Sequence, residues 1–373
     1  MTVERDIAGF ALPFAAGVAA AVYAGTAYSN AFMPMMALAG TAVPLIVLMM
    51  SAGRRWNPSV IKAIMAALAI GTGVLCGQTA AETAFGAYTD AGAVSAAERF
   101  GAAMAEAADR IPFKHSRTNA FVKAILTGER NGMPQEVTQA FRDSGASHIL
   151  ALSGLHLGVI YMMISRLLSV IGHGIAATRL RSLLTVLLCG FYTLATGAGP
   201  SITRAFLFIL LNEAARLTCR YRSIGNTLLA ALIIQLCLSP ESIRSVGFQL
   251  SYAAMAGIAF IFPWLKGLWP EESEEGGKSI LITGPARRIW NSAAMSVSCQ
   301  ITTGPLAYLY FGTFPQYFLL TNLIALPLTG VLIPVAAATL GLSMAGICPG
   351  LLVRATEWLT GVLTGALEII ASM

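Results

Sequence analysis

Apolar residues run along this chain in blocks long enough to cross a bilayer. They occupy roughly residues 7–28, 32–50 and 60–77, then resume at 148–171, 183–199, 201–217, 224–238, 246–264, 290–311, 317–344 and 349–372. A membrane-spanning helix needs about 20 such residues. The pattern predicts an all-α, polytopic transmembrane helix bundle of about 9–11 spans. The short block at 224–238, and Pro327 and Pro334 inside the long one, leave the count open by two. Three regions follow: N-terminal transmembrane helices at 1–77, an extracytoplasmic connector at 78–147, and a second transmembrane domain at 148–373.

The connector has its own periodicity. Thr118 is placed to cap a helix carrying Phe121, Ile125 and Leu126 on one side, stopped at Thr127-Gly128. Pro134 suits the first turn of another, bearing Val137 and Phe141 and ending near Gly145. Both are amphipathic and read as surface helices, lying on the membrane within residues 110–145.

Where the connector meets the next apolar block, the sequence runs Ser144-Gly-Ala-Ser-His-Ile-Leu-Ala-Leu-Ser-Gly-Leu-His-Leu-Gly158. Read as one helix, it sets His156 about 80° from His148 and Ser153 about 60° further round, on a shared polar face. Gly154 and Gly158 form a small-xxx-small pair, which favours close approach of another helix.

Other polar residues interrupt the spans. Arg204 lies in the block at 201–217, and a buried arginine costs roughly 2.5–3.5 kcal/mol at the middle of a lone helix. Glu213, nine positions on, is opposite Arg204 and better placed for Arg216. Ser292, Ser296, Gln300 and Thr303 form a polar stripe, Gln249 and Tyr252 share a face, and Gln235 and Asn322 stand in blocks of their own. Interhelical hydrogen bonds, about 0.6 kcal/mol each, account for any one of these. With a cation and two histidines added, the set points to a hydrated path inside the bundle.

Composition agrees. The chain is 56% hydrophobic and 11% charged, against about 25% charged in soluble domains, and its mean hydropathy is +0.70. The net charge of +6 is partly the Lys and Arg excess of cytoplasmic loops. Arg54, Arg55 and Lys62, then Arg179 and Arg181, then Arg216, Arg220 and Arg222, then Lys266, Lys278, Arg287 and Arg288 all fall on one side of the alternating spans. That places the N-terminus in the cytoplasm and the C-terminus outside. The N-terminus carries Glu4 and Asp6 against only Arg5, which argues for a retained first helix over a cleaved leader. The six cysteines are scattered without a Cys-x-x-Cys and read as small core residues.

Two enzyme-like signals fail. Gly277-Lys278-Ser279 has Glu272 where a phosphate-binding loop requires glycine. Ser153 and His156 lie three apart on one element, and Ala151 takes the place of the first glycine of a nucleophile elbow. His148 and His156 are about 12 Å apart along a helix, too far to share one metal ion.

Several blocks, in order, resemble the central membrane domain of the ComEC family of DNA-uptake channels. They are Ala124-Ile-Leu-Thr-Gly-Glu-Arg130, Phe141 through His148-Ile-Leu-Ala-Leu-Ser-Gly-Leu-His156, Ser201-Ile-Thr-Arg-Ala205, Gly247-Phe-Gln-Leu-Ser-Tyr252, Thr303-Gly-Pro-Leu306 and Asn322-Leu-Ile-Ala-Leu-Pro327. The resemblance covers about residues 120–330. It implies an inner-membrane channel for single-stranded DNA in natural transformation. His148, Ser153, His156, Arg204, Gln249, Tyr252, Gln300 and Asn322 are then expected along the DNA path, with Gly154 and Gly158 packing helices. The basic residues Arg110, Lys114, Arg117, Lys123 and Arg130 are further candidates to meet a polyanion.

No catalytic group, metal or cofactor is expected. Many relatives carry an OB-like domain and a metallo-β-lactamase-like domain; residues 78–117 are too few for the first, and no His-x-His-x-Asp-His run marks the second. Expected partners are single-stranded DNA, membrane lipid, a separate nuclease and an uptake or motor protein. The alternatives are a small-solute or ion transporter using the same wet bundle, and an intramembrane serine hydrolase.

Overall fold

The fold is taken from a computed structural model that describes residues 2–24, 41–44, 58–82, 92–172, 174–218, 223–269, 280–312 and 314–373. Every regular element among the described residues is a helix. In chain order they are α1 Thr2–Ala24, α2 Pro58–Glu82, α3 Gly92–Asp109, α4 Ser116–Thr127, α5 Gln135–Asp143, α6 Ser147–Leu150, α7 Gly154–Leu168 and α8 Ile175–Ala195. Then come α9 Pro200–Leu217, α10 Ile224–Leu238, α11 Val246–Ala256, α12 Phe262–Lys266, α13 Ile280–Phe311, α14 Phe318–Met344 and α15 Gly350–Ala371.

Among the described residues, five segments are long and apolar enough to cross a membrane: Pro58–Gln78, Gly154–Ile171, Ile175–Ala195, Val246–Lys266 and Phe318–Met344. Ile7–Tyr23 and Ile224–Leu238 are shorter apolar helices. The chain is a multi-pass, all-α membrane protein. The expected block at 32–50 lies outside the described residues except for 41–44. Pro327 and Pro334 do not divide the long block, and α14 runs through both. The fourth of the five long segments joins α11 to α12 through a π-helical turn at Gly257–Ile261. There Gly257 lies against the Ser298 carbonyl of α13, a contact a β-carbon would block, and Pro263 follows within the next turn.

The chain divides into two compact units. The first comprises residues 1–91 and 210–252. Its core joins Phe14, Val18 and Val22 of α1 to Ala69 of α2, Leu236 of α10 and Phe248 of α11. Gly17 and Gly73 let the α1 and α2 backbones meet directly.

The second unit comprises residues 92–209 and 253–373. Its central rod is α14, whose buried positions Thr321, Ala325, Thr329, Leu332, Ile333, Ala336, Thr339 and Leu340 recur at three- and four-residue steps. Around it pack α3, α4, α7, α13 and α15. Thr321 donates to the Ser144 carbonyl at 2.7 Å, and Ser343 donates to the Ala107 carbonyl at 3.4 Å. Twenty-two residues of helix separate those anchors, about 33 Å. The segment from α3 to α6 is thus built along the length of α14.

Residues 110–145 hold amphipathic helices, as the periodicity predicts, and their apolar faces pack against protein. Phe121, Ile125, Leu126 and Phe141 are fully buried in one cluster with Leu157, Leu332, Leu363 and Leu367. Thr118 does not cap α4; the cap position is His115, and Thr118 is buried within the helix. The Gly128 stop is as expected, with φ of 81° at the left-handed position that ends α4. The Tyr192 hydroxyl of α8 donates to the Leu126 carbonyl at 2.7 Å and ties that end of α4 down. On the other side Gly101 of α3 receives the Ala195 carbonyl of α8 where a β-carbon would stand. Of the cysteines, Cys189 is core, whereas Cys237 and Cys348 are exposed.

Candidate functional site

The stretch from His148 to His156 is not one helix. The four-residue α6 stops at Leu150, and Ala151 and Ser153 are extended, with ψ of 133° and 173°. The geometry that places His148, Ser153 and His156 on one helical face therefore fails. Ser153 is instead the N-cap of α7, and His156 is its third residue. Their side chains and backbones form a reciprocal capping box. The Ser153 N–H donates to His156 Nδ1 at 3.3 Å, and the hydroxyl lies 3.0 Å from the same nitrogen. An imidazole that accepts at Nδ1 carries its proton on Nε2. His156 is fully buried, and that Nε2 has no hydrogen-bond partner among the described residues.

Chemically, this is a rigid helix start more than an activated nucleophile. A serine–histidine pair works when a third group orients the base from its far nitrogen. Among the described residues the far nitrogen has none, and the near nitrogen is engaged by the cap.

Across from the cap stands α9. Arg204, one turn beyond Pro200, is only 7% exposed. A β-carbon on Gly154 would lie 3.2 Å from Arg204 Nη2 and 3.5 Å from the Ala205 methyl. The guanidinium therefore lies against the first turn of α7. Helix N-termini carry a partial positive charge, so two positive features converge there, an arrangement that favours an anion. His148 is exposed close in sequence, its Nδ1 3.2 Å from the Gly145 carbonyl. Among the described residues Gly154 is closely approached, and nothing comes within 4 Å of a β-carbon placed on Gly158.

The remaining candidates are distributed. Gln300 lies beside Gly304 on α13 and lines a cleft of about 520 Å³ whose other walls include Ile301, Tyr308, Phe314 and Phe318. Asn322 is on α14, where its Oδ1 is buried without a partner among the described residues. Gln249 and Tyr252 belong to the first unit. Gln249 Nε2 donates to the Ile243 carbonyl at 2.9 Å and reaches the Tyr23 hydroxyl at 3.2 Å, while the Tyr252 hydroxyl donates to Gln235 Oε1 at 2.9 Å. Glu213 pairs with Arg216 at 3.7 Å, as the spacing predicts.

Four of the basic residues of the connector fall into two groups. Arg110 is paired with Glu106 at 2.6 Å, and Lys123 with Asp109 at 3.0 Å and Glu129 at 3.4 Å. Burial opposes the Lys123 charge, but the two carboxylates outweigh it and hold its pKa above the ordinary lysine value. Lys114 and Arg117 instead line a cavity of about 320 Å³ with residues of α15, a feature no sequence motif announced. Gly277-Lys278-Ser279 lies outside the described residues. No group of three His, Cys, Asp or Glu able to hold a metal ion is found among the described residues.

Fold and site together define a polytopic helical membrane protein with a buried cation seated on a capped helix start. The chain belongs to the Competence protein family, whose model matches residues 125–373. It is 33% identical over 143 residues to ComE operon protein 3 of Bacillus subtilis (strain 168), covering 36% of this chain and 17% of that one. It is 24% identical over 233 residues to the protein YcaI of Escherichia coli (strain K12), covering 61% of this chain and 30% of the relative. A protein of Aquifex aeolicus (strain VF5) is 39% identical over 56 residues, 15% of this chain and 14% of its own length. The chain thus spans less than a third of each relative. No solved structure matches it.

Proposed function

We propose that this chain is the channel through which single-stranded DNA crosses the inner (plasma) membrane during natural transformation, acting without catalysis of its own. Family membership and the similarity to ComE operon protein 3 support a role in competence DNA uptake. The observation that carries the channel reading is Arg204, nearly buried and seated against the start of α7. A cation held inside a membrane domain is costly to keep as mere cohesion. Opposite the positive end of a helix it favours an anion, and a threaded phosphodiester strand supplies one.

In this reading His148, Ser153, His156, Gln300 and Asn322 line or shape the path, and Tyr308, Phe314 and Phe318 offer ring faces for passing bases. The N-terminus is cytoplasmic and the C-terminus extracytoplasmic. A nuclease and an uptake motor are its proposed partners.

The test is uptake of labelled DNA by a competent host lacking the chain, complemented by the wild type or by Arg204→Ala. Uptake should vanish without the chain and fall at least roughly tenfold with the variant, the effect of about 1.4 kcal/mol. Undiminished uptake in the deletion strain overturns the proposal. In reconstituted vesicles, conductance indifferent to added oligonucleotide identifies a small-solute or ion transporter instead.

A further inference from the structure

The cavity between the start of α4 and α15 is unrelated to the capped helix start. Its walls include Lys114, Arg117, Arg354, Glu357 and Trp358, with Gly361 and Thr364 lower on α15. Lys114, Arg117 and Arg354 are exposed, and among the described residues none of the three forms an ion pair. The one carboxylate present is engaged: Glu357 Oε1 accepts from the His115 backbone N–H and lies 3.0 Å from His115 Nδ1. Three cationic heads therefore face one cleft against a single, already partnered anion.

The surroundings of the cleft say which anion fits. On α15, Leu351, Trp358 and Ile369 are 77%, 66% and 61% exposed. At 100° per residue all three lie within about 20° of one line down the helix, a stripe of exposed apolar side chains along nearly its whole length. Arg354 and Gly361 sit about 60–80° to one side of that line, so the cleft opens next to the exposed apolar stripe. Trp358 belongs to both. Tryptophan concentrates at the membrane–water interface, and basic pockets between helices at that level hold anionic head groups.

We infer that this cleft is a binding site for an anionic phospholipid, its phosphate taken by Lys114, Arg117 and Arg354 and its chains laid along the stripe beyond Trp358. A free phosphate shares the first contact but has nothing to place on the stripe. The inference does not depend on what the channel carries.

The experiment is native mass spectrometry of the full chain released from detergent. The chain is titrated with phosphatidylglycerol, phosphatidylcholine of the same chains, inorganic phosphate, or oligodeoxythymidine. Phosphatidylglycerol should be retained and phosphatidylcholine not. The combined variant Lys114→Gln, Arg117→Gln, Arg354→Gln should bind the anionic lipid at least tenfold more weakly. Its thermal midpoint should match the wild type, because all three side chains are exposed. Arg354→Lys alone, which keeps the charge, should retain most binding. Equal retention of the two lipids, or an unaffected triple variant, overturns the assignment. Competition by inorganic phosphate at the same concentration removes the lipid and leaves a simple anion site. Oligodeoxythymidine binding lost in the same variant reassigns the cleft to nucleic acid.

Discussion

Arg204 Nη2 packs closely on Gly154: a β-carbon there would lie 3.2 Å from it. The guanidinium is the flexible end of its side chain, so a single methyl is tolerated by a small shift. A branched side chain is not, and overpacking of this kind costs about 1–3 kcal/mol. Gly154→Ala should lower the thermal midpoint of the detergent-purified protein only slightly, whereas Gly154→Val should lower it clearly and reduce DNA uptake. Equal midpoints for Gly154→Val and wild type would show that Arg204 does not occupy the first turn of α7.

Removing the charge while keeping the bulk separates the two roles of Arg204. Arg204→Met leaves any polar partners of the guanidinium unmatched, at about 1–3 kcal/mol, but replacing a buried charge by an apolar chain returns part of that. The protein should fold with a modest loss. Uptake should fall by roughly 10- to 100-fold, the range for one lost charged hydrogen bond. Arg204→Lys should be intermediate, since lysine keeps the charge but not the planar fork. Transformation frequency against thermal midpoint reads this directly, and a loss of both in proportion points to a structural role alone.

The capping box makes a prediction that a nucleophile would not. Ser153→Ala removes the cap, at about 1 kcal/mol. Ser153→Thr and His156→Gln preserve both halves of the reciprocal hydrogen bonding. The two conservative variants should therefore keep wild-type uptake and stability, and a serine-directed covalent probe should leave Ser153 unlabelled. Labelling of Ser153, abolished by His156→Gln, would reinstate the hydrolase.

The same residues show what was legible in advance. Apolar runs located α2, α7, α8, α11–α12 and α14, the Gly128 stop held, and the Glu213–Arg216 pair followed from helical spacing. The break at Ala151 to Ser153 was missed because helical periodicity was carried through 148–156. The signal for it was present as Ser153-x-x-His156, a capping box with histidine where glutamate or glutamine is usual. The burial of α4 and α5 was illegible for a different reason. An apolar stripe meets lipid or protein equally well, and what decides is a partner far along the chain, such as Thr321 for Ser144. Gly154 and Gly158 look alike in sequence, and only the position of α9 distinguishes them.

The docking of the connector can be tested without reference to DNA. The Tyr192 hydroxyl donates to the Leu126 carbonyl inside the protein. Tyr192→Phe leaves that carbonyl without its donor and should cost about 1–3 kcal/mol. Gly101→Val is harsher, because its neighbour is the Ala195 backbone carbonyl, which cannot swing aside. The two helices must then part along their contact, and α3 and α4 should loosen together. Limited proteolysis reads this as faster cleavage within residues 110–135, stronger for Gly101→Val than for Tyr192→Phe. Helices resting on the membrane surface would respond to neither substitution. An unchanged cleavage pattern in both variants would return α4 and α5 to that position.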